Sequence, residues 1–131
     1  KVATPFEHRS YGEELALCQR YYWKYYTDST SDGVYAIGQA FTTSEAMCAV
    51  SLPTSMRTVP AIGYTSGARV RNATGSSQSV SNLNVLGYSR DAQGTSIVQL
   101  KATTSTTNLT AGSAAQFRVS LNDYIDFDAE L

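Results

Sequence analysis

The sequence predicts an all-β protein, an antiparallel β-sandwich of the jelly-roll type with one short helix near its N-terminus. Eight or nine short stretches alternate apolar and polar residues at fairly regular spacing, which is typical of sandwiches and barrels. Parallel sheets need helical crossovers, yet one stretch alone carries helix signals. Charged residues make up 16% of the 131 residues, and 16 Ser and 15 Thr replace the missing charge. This composition indicates an exposed, hydroxyl-rich β module.

The N-terminal part of the chain divides at a helix start signal. We expect residues 1–10 to form an extended arm or a junction to an upstream domain, and residues 11–131 to form the sandwich domain. Ser10 and Glu13 have the spacing of a capping box, in which each residue bonds the backbone of the other. A helix of about two turns is therefore predicted over 11–17. Because the sequence lacks an initiator Met, we do not expect its first residue to be the natural start.

An aromatic strand is predicted directly after the helix. Residues 21–26 read YYWKYY, and aromatic residues in alternation favour a strand. Tyr21, Trp23 and Tyr25 share one face and are expected in the core. Five aromatics in six residues exceed what one core needs, and tyrosines recur at interfaces. Interface or binding residues are therefore expected on the other face, which carries Arg20, Tyr22, Lys24 and Tyr26. For the two tyrosines, simple packing is an equal alternative.

Further strands are predicted from period-two alternation, with polar loops between them. Their ranges are 34–42, 46–52, 59–65, 69–74, 83–90, 97–103, 116–121 and 125–131. Residues 75–81 are expected to form a polar loop, and 91–94 a hairpin-sized connection. The last strand has the clearest pattern, because Ile125 and Phe127 point to one side while Asp126 and Asp128 point to the other.

Charge and hydropathy argue against several partner classes. Ten basic and eleven acidic residues give a net charge of -1. A nucleic-acid-binding surface needs clustered Lys and Arg, and a polybasic membrane anchor needs the same. No apolar run approaches the roughly 20 residues that cross a bilayer. We therefore expect neither nucleic acid nor membrane as a partner.

Catalytic and metal-binding constellations are almost lacking, so we predict no enzyme, no catalytic residue, no metal site and no cofactor. His8 is the only histidine, and an extended arm is a poor position for a rigid catalytic base. Asp126 and Asp128 could act on a hydroxyl-rich substrate or bind Ca²⁺. A solvated face of an edge or outer strand explains this pair better, since charge there blocks unwanted pairing.

The two cysteines, Cys18 and Cys48, lie 30 residues apart in the sequence. They and one histidine are too few for the usual zinc ligand sets. A disulfide between them stays open, but a domain of this size does not need one. We favour two buried, small apolar side chains.

Several segments resemble tailed-bacteriophage virion structural proteins of the tail-fibre and capsid-fibre or decoration type. The most specific is ATPFEHRSYGEELALCQRYYWK at 3–24, where ATPFE-R marks the exit from a preceding domain and EELALCQRYY opens the final one. Two further matches are LPTSMRTVP at 52–60 and the terminal pair LTAG at 109–112 and YIDFDAEL at 124–131. The middle of the chain, residues 61–108, carries no matching motif.

This resemblance implies a module on the exterior of a virion. Whether the module belongs to the capsid or to the tail stays open. The resemblance also implies a homo-oligomer, trimeric by analogy with fibre tips, in contact with other virion proteins and without catalysis. Arg20 is then expected to be a buried or interface cation paired with Glu13 or Glu14. The motif residues expected to build the N-terminal junction and core are Glu13, Glu14, Leu15, Leu17, Cys18, Gln19, Arg20 and Tyr21.

Two alternative functions remain. The first is a receptor- or carbohydrate-binding module of a phage adhesin, recognising a host surface glycan. The second is a glycan-degrading enzyme that uses Asp126 and Asp128. In the first alternative, the contacts would come from the loops 28–33, 75–82 and 104–108 and from stacking on Tyr22, Tyr26, Tyr64 or Tyr88.

Overall fold

The computed structural model describes residues 10–27, 31–90 and 96–130. The arm predicted at 1–9, the connection predicted at 91–94 and Leu131 lie outside the described residues. Within the described ranges the chain is antiparallel all-β with one short helix, which confirms the predicted fold class. The elements are α1 Tyr11–Gln19, β1 Tyr22–Tyr26, β2 Gly33–Ala40, β3 Glu45–Leu52, β4 Ala61–Tyr64, β5 Ala68–Asn72, β6 Ser77–Arg90, β7 Ser96–Thr104, β8 Ala114–Val119 and β9 Tyr124–Asp128.

The strands form two sheets, and the larger one differs from the open sandwich sheet that the sequence suggested. Six strands in the order β2-β3-β7-β6-β5-β8 close into a barrel, while β1-β9-β4 form a separate sheet. Strand β6 makes the closure possible. Its start pairs with β5 and its remainder with β7, with register shifts between Val80 and Asn82 and between Val85 and Gly87. Such irregularities bend and twist a strand, and bending lets a sheet curl back on itself.

Alternating side chains fill the barrel interior as the period-two patterns predict. In β3 every second residue from Ala46 to Leu52 is buried, and in β7 every second residue from Ser96 to Thr104. Leu100 and Phe117 are fully buried near the centre of the core. At the end of β8 the alternation stops, so that Leu121 is 43% exposed.

A chain of aromatic rings joins the small sheet to the barrel. Trp23 on β1 stacks on Phe127 of β9 with ring centroids 5.5 Å apart. Tyr25 contacts Tyr35 of β2 at 5.9 Å, and Tyr35 contacts Phe117 of β8 edge-on at 6.1 Å. These contacts confirm the prediction that Trp23 and Tyr25 face the core, and they fix the small sheet on the barrel. The same prediction is wrong for Tyr21, which precedes β1 and is 40% exposed.

The prediction of a polar loop at 75–81 is wrong for most of that segment. Residues 77–81 belong to β6, not to a polar loop, because pairing with β5 places Ser77 and Ser79 in a ladder despite their low strand propensity. The 75–82 segment is consequently mostly strand, and part of the 28–33 loop lies outside the described residues. Of the two positions expected for the acidic strand, an edge or an outer strand, β9 takes the second: it is central in its sheet and its acidic side faces outward.

Candidate functional site

The outer side of the small sheet collects aromatic and charged side chains. In β1 the even-numbered residues are exposed and the odd-numbered ones half-buried, and β9 and β4 place their partners in register with them. We call this surface the aromatic face. Its members are Tyr22, Lys24 and Tyr26 from β1, Tyr124, Asp126 and Asp128 from β9, and Ala61 and Gly63 from β4.

A tyrosine and a glycine fix the Asp126 carboxylate in the middle of the aromatic face. The Tyr22 hydroxyl donates a hydrogen bond to Asp126 Oδ2 at 3.0 Å. The pKa of Tyr22 is raised to about 12, chiefly by desolvation and then by the hydrogen bond to Asp126 and the negative charge of that residue. On the other side, a Cβ at Gly63 would collide with Asp126 Oδ1. The carboxylate therefore lies along the sheet, between the Tyr22 hydroxyl and the backbone of β4.

Lys24 packs across the other end of the aromatic face. Its Nζ lies 3.6 Å from the centroid of the Tyr124 ring and 5.7 Å from that of Tyr26. An ammonium over an aromatic ring is held by the ring quadrupole. The Tyr26 hydroxyl donates to Asn122 Oδ1 at 3.4 Å, and the residue stays 50% exposed. This end thus combines an accessible ring with a positioned cation.

Strand β4 leaves one side of the aromatic face without tall side chains. Its outward residues are Ala61, opposite Asp128, and Gly63, opposite Asp126. Neither extends beyond a methyl group, so a low strip runs beside the acidic residues of β9. A ligand lying on this strip would contact backbone and carboxylate together.

Helix α1 is a second exposed feature, and it is well capped at its start. Ser10 N donates to Glu13 Oε2 at 2.8 Å, and Glu13 N donates to Ser10 Oγ at 3.3 Å, which confirms the predicted capping box. The Ser10 backbone N–H holds the pKa of Glu13 below its usual value. At the other end the backbone of Arg57 donates to the Arg20 carbonyl at 2.8 Å, and that of Ala129 to the Tyr21 carbonyl at 2.7 Å.

The apolar side chains of α1 lie outside the core. None of its nine residues, all of which the structure describes, is buried. Tyr11 is 83% exposed and Leu15 42%. The expectation that the motif residues of α1 build the core is therefore wrong. The end of the helix is held to the domain by these backbone bonds and by the Arg57 guanidinium, which lies 5.8 Å from the centroid of the Tyr21 ring. Arg20 is exposed, and the Glu13 carboxylate accepts a hydrogen bond from Ser10. The expected pairing of Arg20 with Glu14 stays a prediction.

The two cysteines differ in environment. Both are free; Cys48 is buried in β3 and Cys18 is exposed on α1. Burial raises the pKa of the Cys48 thiol to about 12. The prediction of two buried cysteines therefore holds for Cys48 and is wrong for Cys18, because α1 lies outside the core.

The structure gathers some of the predicted binding residues and separates the others. Tyr22, Lys24 and Tyr26 share the aromatic face, whereas Arg20 lies at the end of α1. Tyr64 and Tyr88, the other two tyrosines expected to stack on a sugar, do not belong to the aromatic face. Tyr64 packs against the core and donates to the Ser81 carbonyl at 3.3 Å, and Tyr88 packs against the core and donates to the Met56 carbonyl at 3.1 Å.

Tyr124 and Gly63 were missed by the sequence analysis. Extending the alternation of the last strand back by one residue would have placed Tyr124 beside Asp126. Nothing in the sequence marks Gly63, because its role depends on the pairing of β4 with β9, which are about 60 residues apart in the chain.

Another concave surface lies on the barrel. A shallow groove of about 660 Å³ crosses β2, β3, β7 and β6, and is lined in part by Phe41, Met47 and Ile97. Its floor passes Gly38, where a Cβ would meet the backbone carbonyl of Met47. The groove is mainly apolar and offers two glutamine amides, Gln39 and Gln99, as polar groups.

The outward carboxylates are used locally. Asp126 accepts from Tyr22, and Asp128 Oδ1 accepts from the Glu130 backbone at 2.8 Å. Over the residues that the structure describes, no group of three or more His, Cys, Asp or Glu side chains could hold a metal ion.

In the same part of the chain, no helix has the length and apolarity needed to span a bilayer. Comparisons with protein-family models, curated proteins and solved structures found no match for this chain.

Proposed function

We propose that this chain is a structural module on the exterior of a bacteriophage virion, of the tail-fibre or capsid-fibre and decoration type, and that its copies associate through helix α1. The observation that carries the self-association is that α1 is capped at its N-terminus, yet buries none of its side chains. The virion assignment rests on the resemblance of residues 3–24, the segment that contains this helix.

The energetics of a short helix favour a partner. Isolated helices below about 12–15 residues are marginal in water, and α1 has nine. A capping box contributes on the order of 1 kcal/mol, which offsets only part of the cost of nucleation. Packing of apolar side chains supplies most of the stability of helices in proteins, and here that packing would come from neighbouring copies.

The side chains of α1 suit such an interface. Tyr11, Leu15 and Cys18 follow the spacing i, i+4, i+7, so they lie above one another on one side of the helix. Tyrosine is enriched at protein interfaces, and burial of one leucine stabilises by about 2 kcal/mol. Helices brought together along this stripe around a symmetry axis would bury the same residues in each copy.

Solution mass measurement on matched leucine variants tests the assembly. Leu15→Lys keeps helix propensity and places a charge on the stripe. Leu121→Lys changes a leucine of nearly equal exposure, 43% against 42%, in the turn between β8 and β9. We expect native mass spectrometry at micromolar concentration to find an oligomer for the wild type and for Leu121→Lys, and a monomer for Leu15→Lys. A monomeric wild type, or an unchanged Leu15→Lys oligomer, would contradict the proposal.

The virion location needs a separate test. We expect a density map of the virus particle that carries this chain to show it on the outside of the capsid or tail. Absence of the chain from purified particles, or a position inside the capsid, would contradict the proposed place on the virion exterior. Assembly through α1 would then still be tested by native mass spectrometry.

A further inference from the structure

We propose that the aromatic face binds a neutral oligosaccharide. The proposal rests on the juxtaposition of two partly exposed tyrosines, a fixed carboxylate, a fixed ammonium and a strip without tall side chains on one sheet surface. It does not depend on the assembly through α1, because it uses different elements.

The tyrosines supply the apolar part of the site. Tyr22 is 42% exposed and Tyr26 is 50% exposed, and both stand on the same side of β1. A pyranose ring presents a patch of C–H groups, and tyrosine presents a large apolar face together with a polar tip. Four residue rises along the strand place the Cα atoms of the two tyrosines about 13 Å apart. This separation fits a chain of sugars better than a single sugar.

Hydroxyl recognition would come from groups that are already positioned. Asp126 accepts one bond from Tyr22 at 3.0 Å and, as a carboxylate, has further lone pairs for sugar hydroxyls. Lys24 supplies N–H donors and is placed by Tyr124. Because these side chains are held before a ligand arrives, binding would cost little side-chain ordering.

Strand β4 gives the sugar room to approach. Gly63 lets the Asp126 carboxylate lie along the sheet, and Ala61 beside it adds only a methyl group. Ligand sites combine apolar surface with a few placed polar groups. A sugar ring on this strip would contact the backbone on one side and the carboxylate on the other.

The charges of the aromatic face select a neutral ligand. It carries two carboxylates, Asp126 and Asp128, and one ammonium, that of Lys24. An acidic polysaccharide would meet the two carboxylates at short range, which is unfavourable. Sugars without carboxylate, sulfate or phosphate groups avoid this repulsion.

Binding to defined hexasaccharides tests the proposal. The probes are maltohexaose, cellohexaose, mannohexaose and N-acetylated chitohexaose, with hexagalacturonate as the acidic counterpart, each followed by NMR titration of the labelled chain. We expect at least one neutral probe to shift the backbone resonances of β1, β4 and β9, and hexagalacturonate to leave them unchanged. Failure of all four neutral probes, or binding of the acidic one alone, would overturn the proposal.

Variants then locate the site. We expect Tyr26→Ala and Gly63→Val each to weaken binding about tenfold, the first by removing a ring and the second by filling the strip. The matched control is Phe41→Ala, which removes a 39% exposed aromatic ring from the barrel, outside the aromatic face and α1, and should bind as the wild type does. Equal loss in the control would overturn the site, as would unchanged binding by Tyr26→Ala in a chain whose NMR spectrum shows it folded. A change of native mass in Tyr26→Ala without loss of sugar binding would instead make this surface a contact between copies.

Discussion

Replacing Phe127 by alanine should weaken the packing of the small sheet against the barrel more than any substitution on the outer side of that sheet. Phe127 is fully buried on the central strand β9 and stacks on Trp23 at 5.5 Å. The aromatic chain that runs through Tyr25 and Tyr35 to the barrel starts beside this pair. Loss of the ring therefore removes packing at the place where side chains, and not strand pairing, join the two sheets.

The size of the effect follows from burial. Phe→Ala changes in cores cost about 3–5 kcal/mol, including the cavity that remains. The stability of a whole domain is about 5–15 kcal/mol, so a loss of about 4 kcal/mol removes roughly two-fifths of a mid-range value. With a urea m-value near 2 kcal/mol per molar, the unfolding midpoint should fall by about 2 M.

Urea unfolding measures the loss with a built-in probe. Trp23 is the only tryptophan, and its fluorescence reports unfolding. Because Trp23 touches the substituted residue, the substitution can alter the fluorescence directly. The transition is therefore also measured by far-UV circular dichroism. Phe41→Ala is the control, because Phe41 is 39% exposed and should lose only about 1 kcal/mol. If Phe127→Ala proves too unstable to measure, Phe127→Leu should lie between the two. Equal midpoints for Phe127→Ala and Phe41→Ala would refute the reasoning.

Three further outcomes are expected. Gly38→Ala should lower the unfolding free energy by about 1–3 kcal/mol, since its Cβ would meet the backbone of β3; an unchanged urea midpoint would contradict that close approach. At neutral pH, in the monomeric Leu15→Lys chain, a maleimide should label the exposed Cys18 and not the buried Cys48, whose pKa is raised to about 12; labelling of both in that folded chain would refute this placement. Because the folded pKa of Glu13 lies below its ordinary 4.5, its capping contribution should be present above pH 4.5 and disappear as the pH falls through the folded pKa. The Ser10 amide resonance should report that loss, and a Glu13→Gln chain showing the same transition would exclude the carboxylate as its cause.

The sequence determined the local features of this protein. Ser10 and Glu13 define the helix start through contacts three residues apart, and alternation defines the buried sides of β3, β7 and β9. Alternation also identified Tyr22, Lys24 and Tyr26 as one outward group. All of these follow from backbone periodicity, which neighbouring residues set by themselves.

Tertiary structure decided what distant segments do to one another. The closure of six strands into a barrel depends on the two register shifts of β6, and the Asp126 environment depends on Gly63 from another strand. The exposure of α1, and with it of Cys18, depends on where the barrel ends and not on the apolar content of the helix. Periodicity specifies which side of an element is apolar, but only the packed chain determines whether another element covers that side.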